Sequence, residues 1–266
     1  MVALSSRTTE TQPNEPKHKI IMRIARVFLA RPLHSGMEVT LDKNAYRHTV
    51  QVLRLRTGQA ITLFNGDGAD YPATLSVGPR SASALITGIS ALSPESPLNI
   101  TLVQAISRGE RMDFTLQKSV ELGVHCIQPV LTERTVVKLD AKRRKNRMDH
   151  WQAIIISACE QSGRNRVPTL KEPLTLVDYL SDALTESQTR LVLSPTASLS
   201  ISAFPLEKGL TVELLIGPEG GLSDDEIEKA VSHQFTPIRM GPRILRTETA
   251  ALAAISVLQS RFGDLG

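Results

Sequence analysis

The strand-like run Val212-Glu213-Leu214-Leu215-Ile216 breaks into Gly217-Pro218-Glu219-Gly220-Gly221, and a helix start follows at once. Further on comes a second such stretch, Arg239-Met240-Gly241-Pro242-Arg243-Ile244-Leu245-Arg246-Thr247-Glu248-Thr249-Ala250-Ala251. Two glycine-and-proline loops, each leaving an apolar run and entering a helix, describe strand-to-helix connections and a ligand cradle built from backbone. The glycines of the first loop permit backbone angles that other residues avoid and let a ligand come close to the main chain.

Ser223 and Glu226 form a Ser-x-x-Glu capping box at the following helix start. Asp224 and Asp225 place negative charge in its first turn, where the dipole favours it. That charge argues against a phosphate site, whose loop ends in Lys with Ser or Thr. In the second loop Arg243 and Arg246 flank Ile244-Leu245, and Thr247 or Thr249 is expected to cap a helix through Ala250–Leu258. Alanine and leucine on nearly every face of that helix mean deep burial or packing against a partner.

Upstream, strands and helices alternate: Ile100–Ala105, a helix over Arg111–Leu122 stopped by Gly123, Ile127–Leu131, and a helix over Asn146–Ser162 stopped by Gly163. Leu191–Leu193 and Val212–Ile216 add two more strands. Such alternation gives a mainly parallel sheet with helices on its faces, and ligands bind beyond the carboxyl ends of its strands. Before it, from Arg23 to about Ile89, short strands and turns dominate. Arg26–Leu29, Ala60–Phe64, Tyr71–Val77 and Ala82–Ile89 are strand-like, a short helix falls near Lys43–Leu53, and Asn65-Gly66-Asp67-Gly68 is a strong hairpin signal. These strands suit a small barrel, joined to the rest through Ser93–Pro97. Residues 1–21 are polar, lack the apolar segment of a secretory signal, and read as a disordered extension.

The net charge is only +4, yet Lys138, Lys142, Arg143, Arg144, Lys145 and Arg147 crowd together. The cluster fits a polyanion such as RNA or DNA, or equally a solvated helix face. Just after it, Glu160-Gln161-Ser162-Gly163-Arg164-Asn165-Arg166 gathers a carboxylate, an amide and two guanidiniums at a helix end. Arg164 and Arg166 either interact with the helix C-terminus or grip phosphates while Glu160 or Gln161 reads a base edge. Cys126 and Cys159 sit apart in apolar surroundings, which marks small buried hydrophobes in a reducing compartment. The histidines show no metal-ligand spacing and no apolar run is long enough to span a membrane.

Leu214–Ser223 followed by Arg243–Ala250 resembles the RsmE family of SPOUT-class methyltransferases, which methylate N3 of a uridine in 16S ribosomal RNA. Arg108–Asp113, Lys118–Gly123, Glu160–Arg164, His48–Leu55 and the Leu63–Gly66 hairpin fit the same family, so the resemblance covers nearly the whole chain. It implies an α/β fold: a C-terminal SPOUT-type domain over 98–266 with a trefoil knot, preceded by a small PUA-like β-barrel domain over 22–93. It implies S-adenosyl-L-methionine as cofactor, held in a bent shape by Leu193, Ile216, Gly217, Pro218, Glu219, Gly221, Met240, Leu245, Thr247 and Ala250. It implies a cytoplasmic homodimer joined through the knotted domain, with 16S rRNA in the small ribosomal subunit as partner and neither membrane nor metal.

Uridine N3 must lose a proton as it attacks, and the negative charge that develops on uracil calls for a cation. The expected catalytic residues are Arg246 as positioning cation, with Glu248 or Glu160 as base or base-reader. RNA contacts are expected from Arg23, Arg26, Arg54, Arg143, Arg144, Gln161, Arg164 and Arg166. Other readings are a SPOUT enzyme acting on another rRNA or tRNA nucleotide, and a non-catalytic ribosome assembly factor.

Overall fold

The computed structural model describes residues 24–90, 95–136, 140–181, 188–205 and 211–266. Short strands come first: β1 (Ala25–Phe28), β2 (Glu38–Thr40), a helical turn α1 (Lys43–Tyr46) that runs on through Arg47–Val52, then β3 (Ala60–Phe64), β4 (Tyr71–Val77) and β5 (Ala82–Ile86). They form one sheet in the order β1-β3-β4-β5-β2. Along β4 the side chains alternate between buried and exposed, as expected when one face covers a core and the other meets water. Val27, Val39, Ile61, Leu63, Leu75 and Ile86 fill that core. Asp42 starts α1 by accepting from the N–H groups of Asn44 and Ala45 at 2.9 Å each.

The 65–68 turn does join β3 to β4. It is wide because Phe64 leaves β4 and pairs with Phe28 of the parallel edge strand β1. Asp67 braces the turn, accepting from Ala69 N–H at 2.8 Å and Tyr71 O–H at 2.6 Å. The strand expected to reach Ile89 ends at Ile86.

The second unit runs β6 (Asn99–Ala105), α2 (Glu110–Glu121), β7 (Cys126–Leu131), α3 (Ala141–Ser162), β8 (Thr169–Leu170), β9 (Leu174–Thr175) and α4 (Leu176–Ser181). It continues with β10 (Gln188–Leu193), β11 (Thr211–Ile216), α5 (Asp224–Ser232), β12 (Thr236–Ile238) and α6 (Thr247–Phe262). The strands pair in parallel in the order β12-β10-β11-β6-β7-β8, with β9 also on β7. Both faces are covered, so successive strand residues enter different cores. Leu102, Leu191 and Leu214 pack with α2, α3 and α6, while Val103, Val192 and Leu215 pack with α4 and α5.

Further differences from the sequence reading lie in α3, in the short strands and at the start of α6. Helix α3 begins at Ala141, because Asp140 accepts from Arg143 N–H at 2.8 Å, so Lys142, Arg143, Arg144, Lys145 and Arg147 occupy the helix's first turns. Strands β8, β9 and β12 are too short to show a periodicity, and β12 carries Pro237 on the sheet edge, the place a ladder tolerates it. Neither Thr247 nor Thr249 caps α6: Arg246 stands at the N-cap without a side-chain bond. The Ser223–Glu226 capping box forms as read.

Candidate cofactor cavity and RNA surface

A cavity of about 350 Å³ opens beyond the carboxyl ends of β10, β11 and β12, within the size range of small-molecule sites. Its walls are Leu193–Pro195, Ile216–Leu222, Ile238, Met240, Gly241 and Arg243–Leu245, with Thr247 and Ala250 at the start of α6. All ten residues expected around the cofactor lie on this one surface.

The first loop turns back on itself. Gly221 adopts φ of 70° and its N–H donates to Pro218 O at 2.9 Å. A side chain at Gly217 would bring its Cβ 2.9 Å from Leu222 N and 3.1 Å from Gly221 C, so only glycine fits. Two arginines hold the loop. Arg134 donates to Gly220 O at 2.8 Å, and Arg111 donates to Glu219 Oε1 at 2.9 Å beside Arg108 N–H at 3.0 Å. Burial pushes the Glu219 carboxyl up, but these donors outweigh it and leave the group below its ordinary range.

The two loops are tied to each other. Buried Thr247 donates its hydroxyl to Gly217 O at 2.7 Å and accepts from Gln104 Nε2 at 3.1 Å. The Thr247 hydroxyl is thus engaged away from its own helix, and the N-cap is bare because Arg246 has no side-chain acceptor for the helix N–H groups. Gln104 and Arg134 escaped the sequence reading. Gln104 is the lone polar residue of its inner strand run, a usable signal; Arg134 gives none.

Beside this cavity, an open groove is lined by Arg111, Asp113, Phe114, Gln117, Arg246, Glu248 and Thr249. Arg246 is exposed, and Glu248 Oε2 is buried with no hydrogen-bond partner among the described residues. Of the three expected catalytic residues, these two share the groove. Glu160 does not. Its Oε1 accepts from Phe28 N–H at 3.1 Å and its Oε2 lies 4.0 Å from His48 Nε2, between the two units. Burial raises the Glu160 carboxyl, opposed by the Phe28 N–H.

The expected RNA contacts divide. Arg54, Arg143, Arg144, Gln161 and Arg166 are exposed. Arg164 is not available to RNA: it is buried, paired with Glu95 Oε2 at 2.6 Å, and donates to Val120 O and Val124 O at 2.9 Å each. Arg26 is likewise taken up, forked onto Asp70 at 2.7 and 2.8 Å. Both are corrections: Arg164 has all three nitrogens engaged within the protein, and Arg26 has its two terminal nitrogens held by Asp70 while its Nε is buried out of reach of a phosphate. Arg23, Lys138 and the 1–21 extension lie outside the described residues.

A family model described as "RNA methyltransferase domain" matches residues 94–259, and one described as "RNA methyltransferase PUA domain" matches residues 41–87. The chain is 38% identical to Ribosomal RNA small subunit methyltransferase E of Buchnera aphidicola subsp. Schizaphis graminum, covering 91% of this chain and 98% of that one. It is 33% identical to the protein of that name from Bacillus subtilis, over 79% and 85% of the two chains. Among solved structures, a Ribosomal RNA small subunit methyltransferase E from Neisseria gonorrhoeae bound to S-adenosyl methionine superposes with a TM-score of 0.85 at 43% identity, covering 92% of this chain and 100% of that one.

Proposed function

This chain belongs to the RsmE family of ribosomal RNA small subunit methyltransferases, and from that premise we propose that it methylates N3 of a uridine, of the U1498 type, in 16S rRNA. It is an S-adenosylmethionine-dependent rRNA methyltransferase. The observation that carries the reading is the cross-linked pair of loops around one cavity, opening beside a groove that holds an exposed guanidinium and a carboxylate with one oxygen unpartnered among the described residues.

The cavity fits the cofactor. Its aliphatic walls, Leu193, Ile216, Met240 and Leu245, suit a purine, and its turned glycine backbone suits the polar edges of an adenosine. When bound, the cofactor supplies an electrophilic methyl group on a sulfonium. The protein's part is to present the base, since alignment removes much of the barrier. Arg246 donates to a uracil carbonyl oxygen and offsets the negative charge that grows as N3 loses its proton. The Glu248 carboxylate, which lines the groove, accepts that proton. Arg54, Arg143, Arg144, Gln161 and Arg166 hold the RNA from outside, the arginines through phosphates.

Two further features follow this reading. The enzyme works as a homodimer in the cytoplasm, joined through α6 and α2, where Phe114 is 47% exposed and Leu252, Ala253 and Val257 are only partly covered. The chain after β12 threads the β10–β11 connection to make the knot. Pairing of Ser200 with Arg239, and the bond from Arg261 Nη1 to Ile201 O at 2.8 Å, support that path.

The test is transfer of labelled methyl from S-adenosylmethionine to small ribosomal subunits lacking the modification, followed by nucleoside analysis. Label in 3-methyluridine is the expected result. Label in another nucleoside moves the target, and no label with cofactor bound leaves the assembly-factor reading.

A further inference from the structure

Strand β1 is one of the two edges of the five-stranded sheet, so half of its backbone donors lack a strand partner. One of them, Phe28 N–H, is taken by Glu160 Oε1, 132 residues further along the chain. The same corner carries other ties between the units. Phe64 packs into the core of the second unit while its ring meets Phe28 edge-on, with 5.5 Å between centroids. Arg26, fixed to Asp70, reaches Arg164 O at 3.3 Å. Of these contacts, the Glu160 bond alone joins a side chain of α3 to the backbone of the edge strand.

Helix α3 is a long reach away from this corner. Its 22 residues span about 33 Å, with Glu160 at one end and Arg143 and Arg144 at the other. A tilt of about 10° at the joint would carry the far end roughly 6 Å, more than a hydrogen bond tolerates.

We propose that Glu160 is a positioning residue for RNA: its bond to Phe28 N–H fixes the angle between the first unit and α3, so that Arg54 and the Arg143–Arg144 end engage one RNA together. The proposal rests on the methyltransferase reading given above and assigns Glu160 a task remote from the methyl-transfer groove.

The test uses Glu160→Ala and Glu160→Gln in the full-length enzyme, with unmodified small subunits as substrate. Glutamine keeps an oxygen acceptor for Phe28 N–H, whereas alanine leaves that donor unsatisfied. In E160A the KM for subunits, and the Kd for the same subunits by direct binding, should rise about tenfold, the factor one lost buried partner carries. Its kcat at saturating substrate and its S-adenosylmethionine affinity should stay at wild-type values, and hydrogen exchange at the Phe28 amide should accelerate. E160Q should restore KM, Kd and exchange protection. Loss of kcat in both variants would make Glu160 a proton acceptor and overturn the proposal, as would an E160A enzyme with unchanged KM and Kd. A wild-type protein that transfers no methyl group refutes the methyltransferase reading instead, while subunit Kd and Phe28 exchange still decide the role of the joint.

Discussion

Replacing Thr247 by valine keeps the shape of the side chain and removes the hydroxyl that ties the two loops. The structure sets the size of the effect. Two hydrogen bonds disappear, one to Gly217 O at 2.7 Å and one from Gln104 Nε2 at 3.1 Å, while Gln104 Nε2 retains Ala105 O at 3.0 Å. Each lost bond is worth about 1 kcal/mol net, so the variant should be about 2 kcal/mol less stable. For a chain of this length that lowers Tm by about 4–8 °C. Gly217 O is also released from its fixed position in the cavity wall. A ligand must then order the loop itself, and a share of about 1.4 kcal/mol spent this way weakens S-adenosylmethionine binding tenfold. Calorimetric titration of T247V, with T247S as the variant that keeps the hydroxyl, measures this directly. Wild-type affinity in T247V, or equal damage in T247S and T247V, would refute the claim that the hydroxyl organises the site.

Gly217→Ala should abolish cofactor binding in titration while the fold, read by circular dichroism, persists, because the new Cβ meets loop backbone at 2.9 Å and the strain stays local. Glu219 is depressed on folding, so its contribution to the loop is full above the ordinary carboxylate pKa and fades as pH falls through the lowered one. Cofactor affinity should therefore hold through neutral pH and decline only in acid, below about pH 4.3, and E219Q should lack that acid limb. Arg164→Ala strands the half-buried Glu95 carboxylate, strips the buried Val120 O and Val124 O of their donor, and should destabilise the protein by about 3 kcal/mol in urea melts. The slope of RNA affinity against salt should not change in that variant, since Arg164 touches no phosphate.

Much of the fold was legible because its elements carry strong local signals. Met112, Leu116 and Val120 share one face of α2, Gly123 and Gly163 stop their helices at φ of 83° and 92°, and the strand runs lie between two cores. The loops around the cavity were legible through their glycines. What failed was long-range. Arg164 and Arg166 look alike in sequence, yet one is buried against Glu95 and the backbone of α2 while the other is exposed. Nothing within a few residues of Arg164 encodes Glu95, 69 positions away. The place of Glu160 was hidden for the same reason, its partner Phe28 belonging to the other unit. Arg134 was missed because an arginine in a loop has no pattern until the backbone it clasps is known.

The tie from Gln104 through Thr247 to Gly217 spans 143 positions on one side and 30 on the other. During synthesis, the strand bearing Gln104 is made long before the helix bearing Thr247 has left the ribosome. The closing contact is therefore the last to become available, and a nascent chain has no closed pocket however much of its sheet has paired. Contacts this far apart in sequence also form slowly, because the intervening chain must be ordered first. Ligand that recognises only the finished pocket adds its binding free energy to the completed molecule and to no shorter one. Growth conditions rich in cofactor should thus favour survival of full-length chains over prematurely terminated ones.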